Sequence, residues 1–323
     1  MANYWYFSPT GDGWSNLAQD EWFLDHLQPE DFMLYFYVNA NAVIIGKNQN
    51  PWRECNLDAM ERDGVQLVRR ITGGGAVFHD QGNLNFSFIT GQDRYDLEAQ
   101  QEIILQAVRS FGIPCERSGR NDLLADGKKF SGCAFAGRGP LRQHHGTLLL
   151  SADLGRLQRY LNPDPRKLQA KGVASVRARV TNLCAFAPQL TTQAMEAAVR
   201  AAAEAAMGPF EPFVPTPEVV AQWAPYREKQ ASWDWRLGKT PDFDLSLSTR
   251  FPWGGVELLF TLKHVTVASV AVYSDAMDTE LTQAIAARLT GCPLRSQALY
   301  DALDAADNPQ LQDVADFLLE QRL

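Results

Sequence analysis

The chain is poor in the signals that cross-link or anchor a protein. Its five cysteines, at 55, 115, 133, 184 and 292, are odd in number, and no two stand in Cys-x-x-Cys spacing. This argues against a disulfide framework and against paired zinc ligands, and it fits free thiols in a reducing cytosol. Residues 1–8 carry no basic side chain, so the charged start of a secretory leader is missing. No apolar run approaches the roughly 20 residues needed to span a bilayer. Positive charge is not in excess either. The net charge is −8, which sets nucleic acid aside as a partner. No internal repeat is visible, and strand-like sequence follows the one glycine cluster. A dinucleotide-binding fingerprint would place a helix there.

What is present is ordinary in bulk. With 46% apolar and 21% charged residues over 323 positions, there is material for two domains and a large core. Tyr4 to Ser8 reads as a strand, and Trp14 to Leu27 as a helix with a broad apolar face. Phe32 to Val38 and Ala42 to Gly46 read as a strand pair around an Asn-Ala-Asn turn. Leu57 to Asp63 is a short helix closed by Gly64. Leu84 to Thr90 reads as a strand, and Leu97 to Phe111 is an amphipathic helix stopped by Gly112 and Pro114. Asp153 to Tyr160 and Thr191 to Met207 are further helices. A Pro-rich stretch runs from Pro209 to Pro217, and Arg236 to Asp244 has the composition of a linker. Beyond it, Gly255 to Tyr273 reads as paired strands, followed by helices at Thr279–Leu289, Gln297–Ala305 and Pro309–Arg322.

Three segments carry chemistry. Arg69-Arg70-Ile71-Thr72-Gly73-Gly74-Gly75-Ala76-Val77-Phe78-His79-Asp80 follows a strand at Val65 to Arg69. Its three glycines let backbone amides approach a ligand without a Cβ in the way, and successive N–H groups there can form an anion site. Arg70 offers a planar fork suited to phosphate oxygens. The second segment, Ser118 to Gly132, has a two-residue hairpin turn at Asp126-Gly127 between strands that project Asp122 and Lys129. The third, His144 to Leu150, reads as a loop entering a buried strand. Adjacent histidines in a strand would point to opposite faces, which speaks against a shared metal. Residues 162–182 lack periodicity and hold five cationic side chains, Arg166, Lys167, Lys171, Arg177 and Arg179. A long loop in a compact domain is commonly functional.

Together these segments resemble the lipoate–protein ligase A family, within the wider biotin/lipoate ligase and transferase group. The likeness extends through Asn50 to Asn56, Leu161 to Asp164, Lys171 to Leu183, Ser232 to Trp235 and Phe251 to Leu258, so it covers nearly the whole chain. The resemblance implies an α+β fold: a large catalytic domain at 1–245, with mixed and antiparallel sheets flanked by helices, and a small α+β accessory domain at 246–323. It implies that lipoate and ATP give lipoyl-AMP and pyrophosphate, with Mg2+ as cofactor. The acyl group then passes to a specific lysine of a lipoyl domain, in 2-oxoacid dehydrogenase E2 subunits or in the glycine-cleavage H protein. A cytoplasmic monomer is expected, with no membrane partner.

Residue by residue, Lys129 matches the family's central lysine, touching both the lipoate carbonyl and the anhydride phosphate. Arg70, Gly75, Ala76, Val77, Phe78, Lys129, Asp122 and Arg179 would meet ATP. Gly74, Gly75, Lys129 and His145 would meet lipoate. Asp122 would hold Mg2+ or contact the nucleotide, and otherwise is a strand-end aspartate. His79 would orient the glycine loop, and Trp233 and Trp235 would be packing anchors. Cys133 departs from the pattern. A thiol there raises a second reading, an acyl-carrier-dependent octanoyltransferase with a cysteine nucleophile. Against it, Pro163-Asp164 stands where such a transferase would carry Pro-Cys, and Cys133 reads as a small buried side chain. A binding module that no longer adenylates is the non-enzymatic alternative.

Overall fold

A computed structural model describes residues 1–119, 122–161, 180–237, 244–263, 265–303, 308–321 and 323. The strands are β1 (Asn3–Phe7), β2 (Phe32–Tyr37), β3 (Asn41–Ile45), β4 (Gln66–Arg69), β5 (Val77–Asp80), β6 (Asn83–Gly91), β7 (Cys115–Ser118), β8 (Asp122–Ala125), β9 (Lys128–Arg138), β10 (Leu141–Leu149), β11 (Glu211–Pro212), β12 (Leu245–Phe251), β13 (Gly254–Lys263) and β14 (Thr266–Ser274). The helices used below are α1 (Gly13–His26), α2 (Pro51–Glu54), α3 (Leu57–Arg62), α4 (Leu97–Arg109), α5 (Leu154–Tyr160), α6 (Thr192–Met207) and α7 (Pro217–Ala231). After α8 (Trp233–Arg236), the C-terminal region adds α9 (Leu281–Leu289), α10 (Ser296–Leu303) and α11 (Pro309–Glu320).

The main sheet has eight strands in the order β11-β1-β2-β6-β10-β9-β8-β7. Its β1 pairs are parallel and the rest antiparallel. Strand β2 shows why helices cover both faces. All six of its residues are buried, and they alternate between two cores. Phe32, Leu34 and Phe36 pack with Ile104 and Val108 of α4 and with Met195 and Val199 of α6. Met33, Tyr35 and Tyr37 pack with Leu17, Phe23 and Trp223, from α1 and α7. A strand apolar on both faces has to sit inside a layered fold.

A second sheet, β4-β3-β5, is mixed, with β3 parallel to β4 and antiparallel to β5. The expected pairing of Phe32–Val38 with Ala42–Gly46 is therefore corrected. Strand β2 is flanked by β1 and β6, and β3 is the centre of the smaller sheet. The chain leaves the first sheet at Asn39, which is wholly buried and bonded through its side chain to Asn16 and His79. The Ala40 N–H donates to the Gly11 carbonyl and not across a β2–β3 turn, so no hairpin forms there. His144 and His145 likewise lie within a nine-residue strand, not in a loop before one.

Local chemistry explains the other elements. Asp126 and Gly127 both have positive φ, 50° and 68°, as a two-residue hairpin of this type demands. Asp12 caps α1 and accepts from Gln66 of β4, so the helix start is tied to the small sheet. Asp153 caps α5 through the Gly155 and Arg156 amides. Helix α7 follows the Pro-rich stretch and was not anticipated. Thr216 is its cap and Pro217 its first residue, a favourable start, while Pro225 inside it hides the periodicity. Tyr226 donates to Asp25, and Lys229 pairs at 2.6 Å with the buried Glu21, so α7 is strapped to α1. Trp235 is a packing anchor that donates to the Arg69 carbonyl. Trp233 is 47% exposed and is not one.

The C-terminal domain is the antiparallel sheet β12-β13-β14 under α9, α10 and α11, with its own apolar cluster. Its segment after β14 seats on the glycine loop. The Ser274 N–H donates to the Asn48 carbonyl, the Gly74 N–H to the Ala276 carbonyl at 3.2 Å, and Lys47 pairs with Glu280 at 3.0 Å. A Cβ on Gly73 would strike the backbone oxygens of Ala276 and Met277. Gly73→Ala should therefore loosen this seam at a cost of about 1–3 kcal/mol. The expected readouts are a larger radius of gyration in solution scattering and a lower Tm. No change in either would show that the seam tolerates a side chain.

Candidate functional site

A cavity of about 400 Å³ lies between the small sheet and the main sheet. Its walls include Ile44 and Val77 on one side, and Gly132, Ala134, His145 and Thr147 on the other. The glycine loop closes one edge through Gly74, Gly75 and Ala76, and Met277 from the C-terminal domain reaches the same edge. Of the residues singled out from sequence, Arg70, Gly74, Gly75, Ala76, Val77, Phe78, Asp122, Lys129 and His145 all border this one space. Arg179 lies outside the described residues, as do 162–178 of the basic loop.

Lys129 stands at the mouth, with its side chain 36% exposed. Its ammonium is 2.7 Å from Asp122 Oδ1. The hairpin explains the meeting, because Asp122 on β8 faces Gly132 on β9, and the Lys129 chain folds back over that glycine. A Cβ on Gly132 would lie only 2.8 Å from the Lys129 Nζ, so the absence of a side chain there makes room for the ammonium. The carbonyl of Lys129 accepts from the Thr181 N–H. The chain at Val180 and Thr181 thus lies beside this lysine.

Arg70 is buried, and its fork is turned onto backbone. Nε and Nη2 donate to the Gly73 carbonyl at 3.1 and 2.7 Å, Nη2 also to Gly75 at 2.8 Å, and Nη1 to Ile44 at 3.2 Å. That uses four of its five N–H groups. Burial lowers its pKa to about 10, with Tyr37 acting against the shift. No carboxylate among the described residues pairs with it. Arg69 points the other way along the strand, and its guanidinium is bonded to the carbonyls of Gly46, Lys47, Gln49, Trp235 and Arg236. The two adjacent arginines thus brace the loops on either side of the cavity's edge.

His145 accompanies Asp20 and Thr72. Its Nδ1 is 3.0 Å from the buried Asp20 carboxylate and its Nε2 is 2.9 Å from the Thr72 hydroxyl, so it ties α1 to the residue that opens the glycine loop. His144 points away and packs among Phe86, Phe88 and Phe135, where burial drops its pKa to about 3. Sequence reasoning missed Tyr37, Ile44, Asn83, Asn85 and Met277 on the walls. For Asn83 and Asn85 a signal was present. Strand β6 alternates Asn83-Leu84-Asn85-Phe86-Ser87-Phe88, and a polar face on a strand buried throughout calls for a partner.

Cys133 borders the cavity, but burial pushes its thiol up to about 12. A nucleophilic cysteine needs the opposite shift. At pH 8, Cys133 should alkylate about a thousandfold more slowly than an ordinary thiol, and reaction should accelerate only as pH climbs toward 12. Rapid labelling of Cys133 by iodoacetamide at pH 8, read by peptide mass spectrometry, would restore it as a candidate nucleophile.

Comparison with known proteins gives the family and the fold. The family model described as "Lipoyl protein ligase A/B catalytic domain" matches residues 12–204, and one described as "Bacterial lipoate protein ligase C-terminus" matches residues 240–318. The structure is similar to that of P. falciparum LipL1 in complex with lipoate, with a TM-score of 0.86 at 26% identity, covering 99% of this chain and 100% of that one. It is similar to a bi-partite lipoate protein ligase from Thermoplasma acidophilum, described with its E2 lipoyl domain, at TM-score 0.67 and 27% identity, over 76% of this chain and 100% of that one. A lipoate-protein ligase A bound with ATP matches at TM-score 0.65 and 27% identity, over 74% of this chain and 99% of that one. The chain belongs to the lipoyl protein ligase A/B family. It is a ligase enzyme built as an α+β catalytic domain with a small C-terminal domain.

Proposed function

We propose that this protein activates lipoate with ATP to lipoyl-AMP, releasing pyrophosphate, and then transfers the lipoyl group to a lysine of a lipoyl domain. The observation that carries the reading is that Lys129 and the glycine loop face one cavity with apolar walls. Relatives of the same fold hold lipoate in one case and ATP in another. In this reading the acyl chain runs into the cavity and its carboxyl stops at the mouth. Lys129 offsets negative charge as the carboxylate attacks the α-phosphate and again as the acceptor amine attacks the anhydride. The loop amides of Gly75 to Phe78 and the remaining N–H of Arg70 would face phosphate, with Arg179 as a further phosphate partner. His145 and Gly74 would flank the acyl chain.

Asp122 would hold Mg2+, which would offset triphosphate charge. Mg2+ needs few carboxylates when phosphates and waters supply the rest, and one Asp122 oxygen is left over from the Lys129 pair. We divide the chain into a catalytic domain at 1–245 and an accessory domain at 246–323. We take it to act as a monomer in the cytoplasm, in keeping with five cysteines that form no disulfide with one another. Among the described residues, no helix is long and apolar enough to cross a membrane. The acceptors would be lipoyl domains of 2-oxoacid dehydrogenase E2 subunits and the glycine-cleavage H protein. The T. acidophilum relative described with its E2 lipoyl domain favours the first of these.

The test is pyrophosphate release from ATP, with lipoate present and absent, followed by mass analysis of an added lipoyl domain. Lipoate-dependent release and a lipoyl mass increment are expected. Release without lipoate, or none at all from folded protein, would refute the reading. Lys129→Ala should lower the rate of adenylate formation by about 100-fold or more, the usual scale for removing a preorganised charge partner. Undiminished adenylation in that variant would remove Lys129 from its role.

A further inference from the structure

The buried carboxylate of Asp20 has no part in the chemistry proposed above, yet it bears on the glycine loop through one imidazole. Asp20 on α1 is 2% exposed, and no lysine or arginine among the described residues pairs with it. His145 Nδ1 lies 3.0 Å from Asp20 Oδ2, and His145 Nε2 lies 2.9 Å from the Thr72 hydroxyl. A carboxylate oxygen accepts, so the ring proton sits on Nδ1 and Nε2 is left to accept from Thr72. In this order the three side chains could activate a nucleophile. Thr72, however, is wholly buried and is not among the residues that border the cavity, so its hydroxyl has no substrate to attack. The chain of bonds serves to hold.

Both of its ends are anchored. At the start of α1, Asp12 accepts from Gln66 of β4, and Glu21, the residue after Asp20, pairs with Arg138 of β9 and Lys229 of α7. At the other end, the Thr72 carbonyl accepts from the Lys47 N–H at 2.8 Å, while Arg70 holds the carbonyls of Gly73 and Gly75. Thr72 is thus the point at which a loop gripped from its own sheet is fastened to the main sheet. The fastening lies close to Lys129. Thr147 stands two positions after His145 on β10, and its hydroxyl accepts from the Gly132 N–H at 3.3 Å. The Lys129 chain folds over that glycine. Two residues of strand span about 7 Å. The imidazole that reaches the loop is therefore His145. His79, expected in that part, is bonded to Asn39 instead.

We propose that Asp20 is a positioning residue: through His145 and Thr72 it fixes the spacing between the glycine loop and Lys129. This rests on the ligase reading above, in which both groups bear on the phosphates of ATP. Activation depends on that spacing most, because three phosphates and the attacked phosphorus have to be held at once. Transfer starts from an anhydride with a single phosphate, already joined to an acyl chain that the cavity holds. A misplaced loop therefore slows the first half-reaction more than the second.

The experiment separates the two halves in the full-length protein. Lipoate-dependent pyrophosphate release reads activation, and acylation of an added lipoyl domain from supplied lipoyl-AMP reads transfer. Thr72→Val keeps the shape and loses the hydroxyl, and it should lower kcat/KM for ATP by about tenfold, the scale of stranding one buried hydrogen-bonding partner. Asp20→Asn frees the ring to carry its proton on Nε2 and should act in the same direction. Transfer should stay within about twofold in both variants, since the covalent anhydride needs less positioning. Thr72→Ser, which restores the hydroxyl, should regain most of the activation. Unchanged activation in Thr72→Val, an equal fall in both halves, or no recovery in Thr72→Ser would overturn the inference and leave the ligase reading standing. Failure of the unaltered protein to activate lipoate would overturn that reading and this inference with it. Should the variants fail to fold, 15N spectra of the unaltered protein decide the matter. His145 should show a protonated Nδ1 and a bare Nε2 with ATP and without it, and a proton on Nε2 in either state would refute the tie.

Discussion

A guanidinium locked onto the loop that follows it holds the site together. Arg70 is bonded to the carbonyls of Gly73 and Gly75, so the three-glycine bend is pulled back toward its own strand. The bend can be drawn in this far only because it has no side chains. A Cβ on Gly74, where φ is +94°, would sit 2.9 Å from the Arg70 fork, and one on Gly46 would run into the Gly74 carbonyl. The same packing leaves a buried positive charge bordering the cavity with no carboxylate opposite it among the described residues. Such a site favours an anion, and the surrounding burial strengthens that preference. A protein of net charge −8 can in this way gather positive potential at one edge.

The cavity follows from two sheets meeting at an angle that neither could fill alone. The main sheet contributes β6, β9 and β10, and the small sheet contributes β3 and β5. Polar residues on β6 would be wasted in an ordinary core. Here Asn83 and Asn85 form a chain of fixed amides ending on the Tyr37 carbonyl, and His79 is oriented through Asn39 and Asn16 from α1. Asp20, also from α1, reaches His145 on β10. A single helix therefore sets the orientation of two imidazoles on two different sheets. Buried hydrogen-bond networks of this kind fix side-chain orientation, and each group they leave unpaired carries a cost. Four atoms of these networks have no partner among the described residues, Asn16 Oδ1, Asp20 Oδ1, His79 Nε2 and Asn83 Oδ1, and the last two belong to residues that border the cavity.

Much of this was legible in the residues. The glycine triplet, the Arg-Arg pair before it, the Asp-Gly turn and Lys129 are local signals, and each has a physical requirement that few residues meet. The helix ends at Gly64 and Gly112 were legible for the same reason, since each has positive φ. What was not legible is non-local. Apolar runs at 32–38 and 42–46 look like a hairpin, and only the two-sided burial of β2 shows that it needs β1 and β6 instead. Helix α7 was hidden by Pro225, and its place is set by Glu21 and Asp25 some two hundred positions earlier. The fork of Arg70 looks free in sequence and is engaged in the fold, because the loop's carbonyls come back within reach of it.

The C-terminal domain belongs to the same constraint. Its Ala276 carbonyl accepts from Gly74, and Met277 forms part of the cavity wall. Occupancy of the cavity and seating of this domain are therefore linked through one short stretch of backbone. A ligand that touches both Met277 and the glycine loop binds the seated form better than the unseated form. It must then stabilise the seam by an amount fixed by that difference in affinity, and the seam must raise the ligand's affinity by the same factor. The two glycines divide the requirement: the bare Gly74 lets the loop fold back onto Arg70, and the bare Gly73 lets the second domain come close enough to finish the wall.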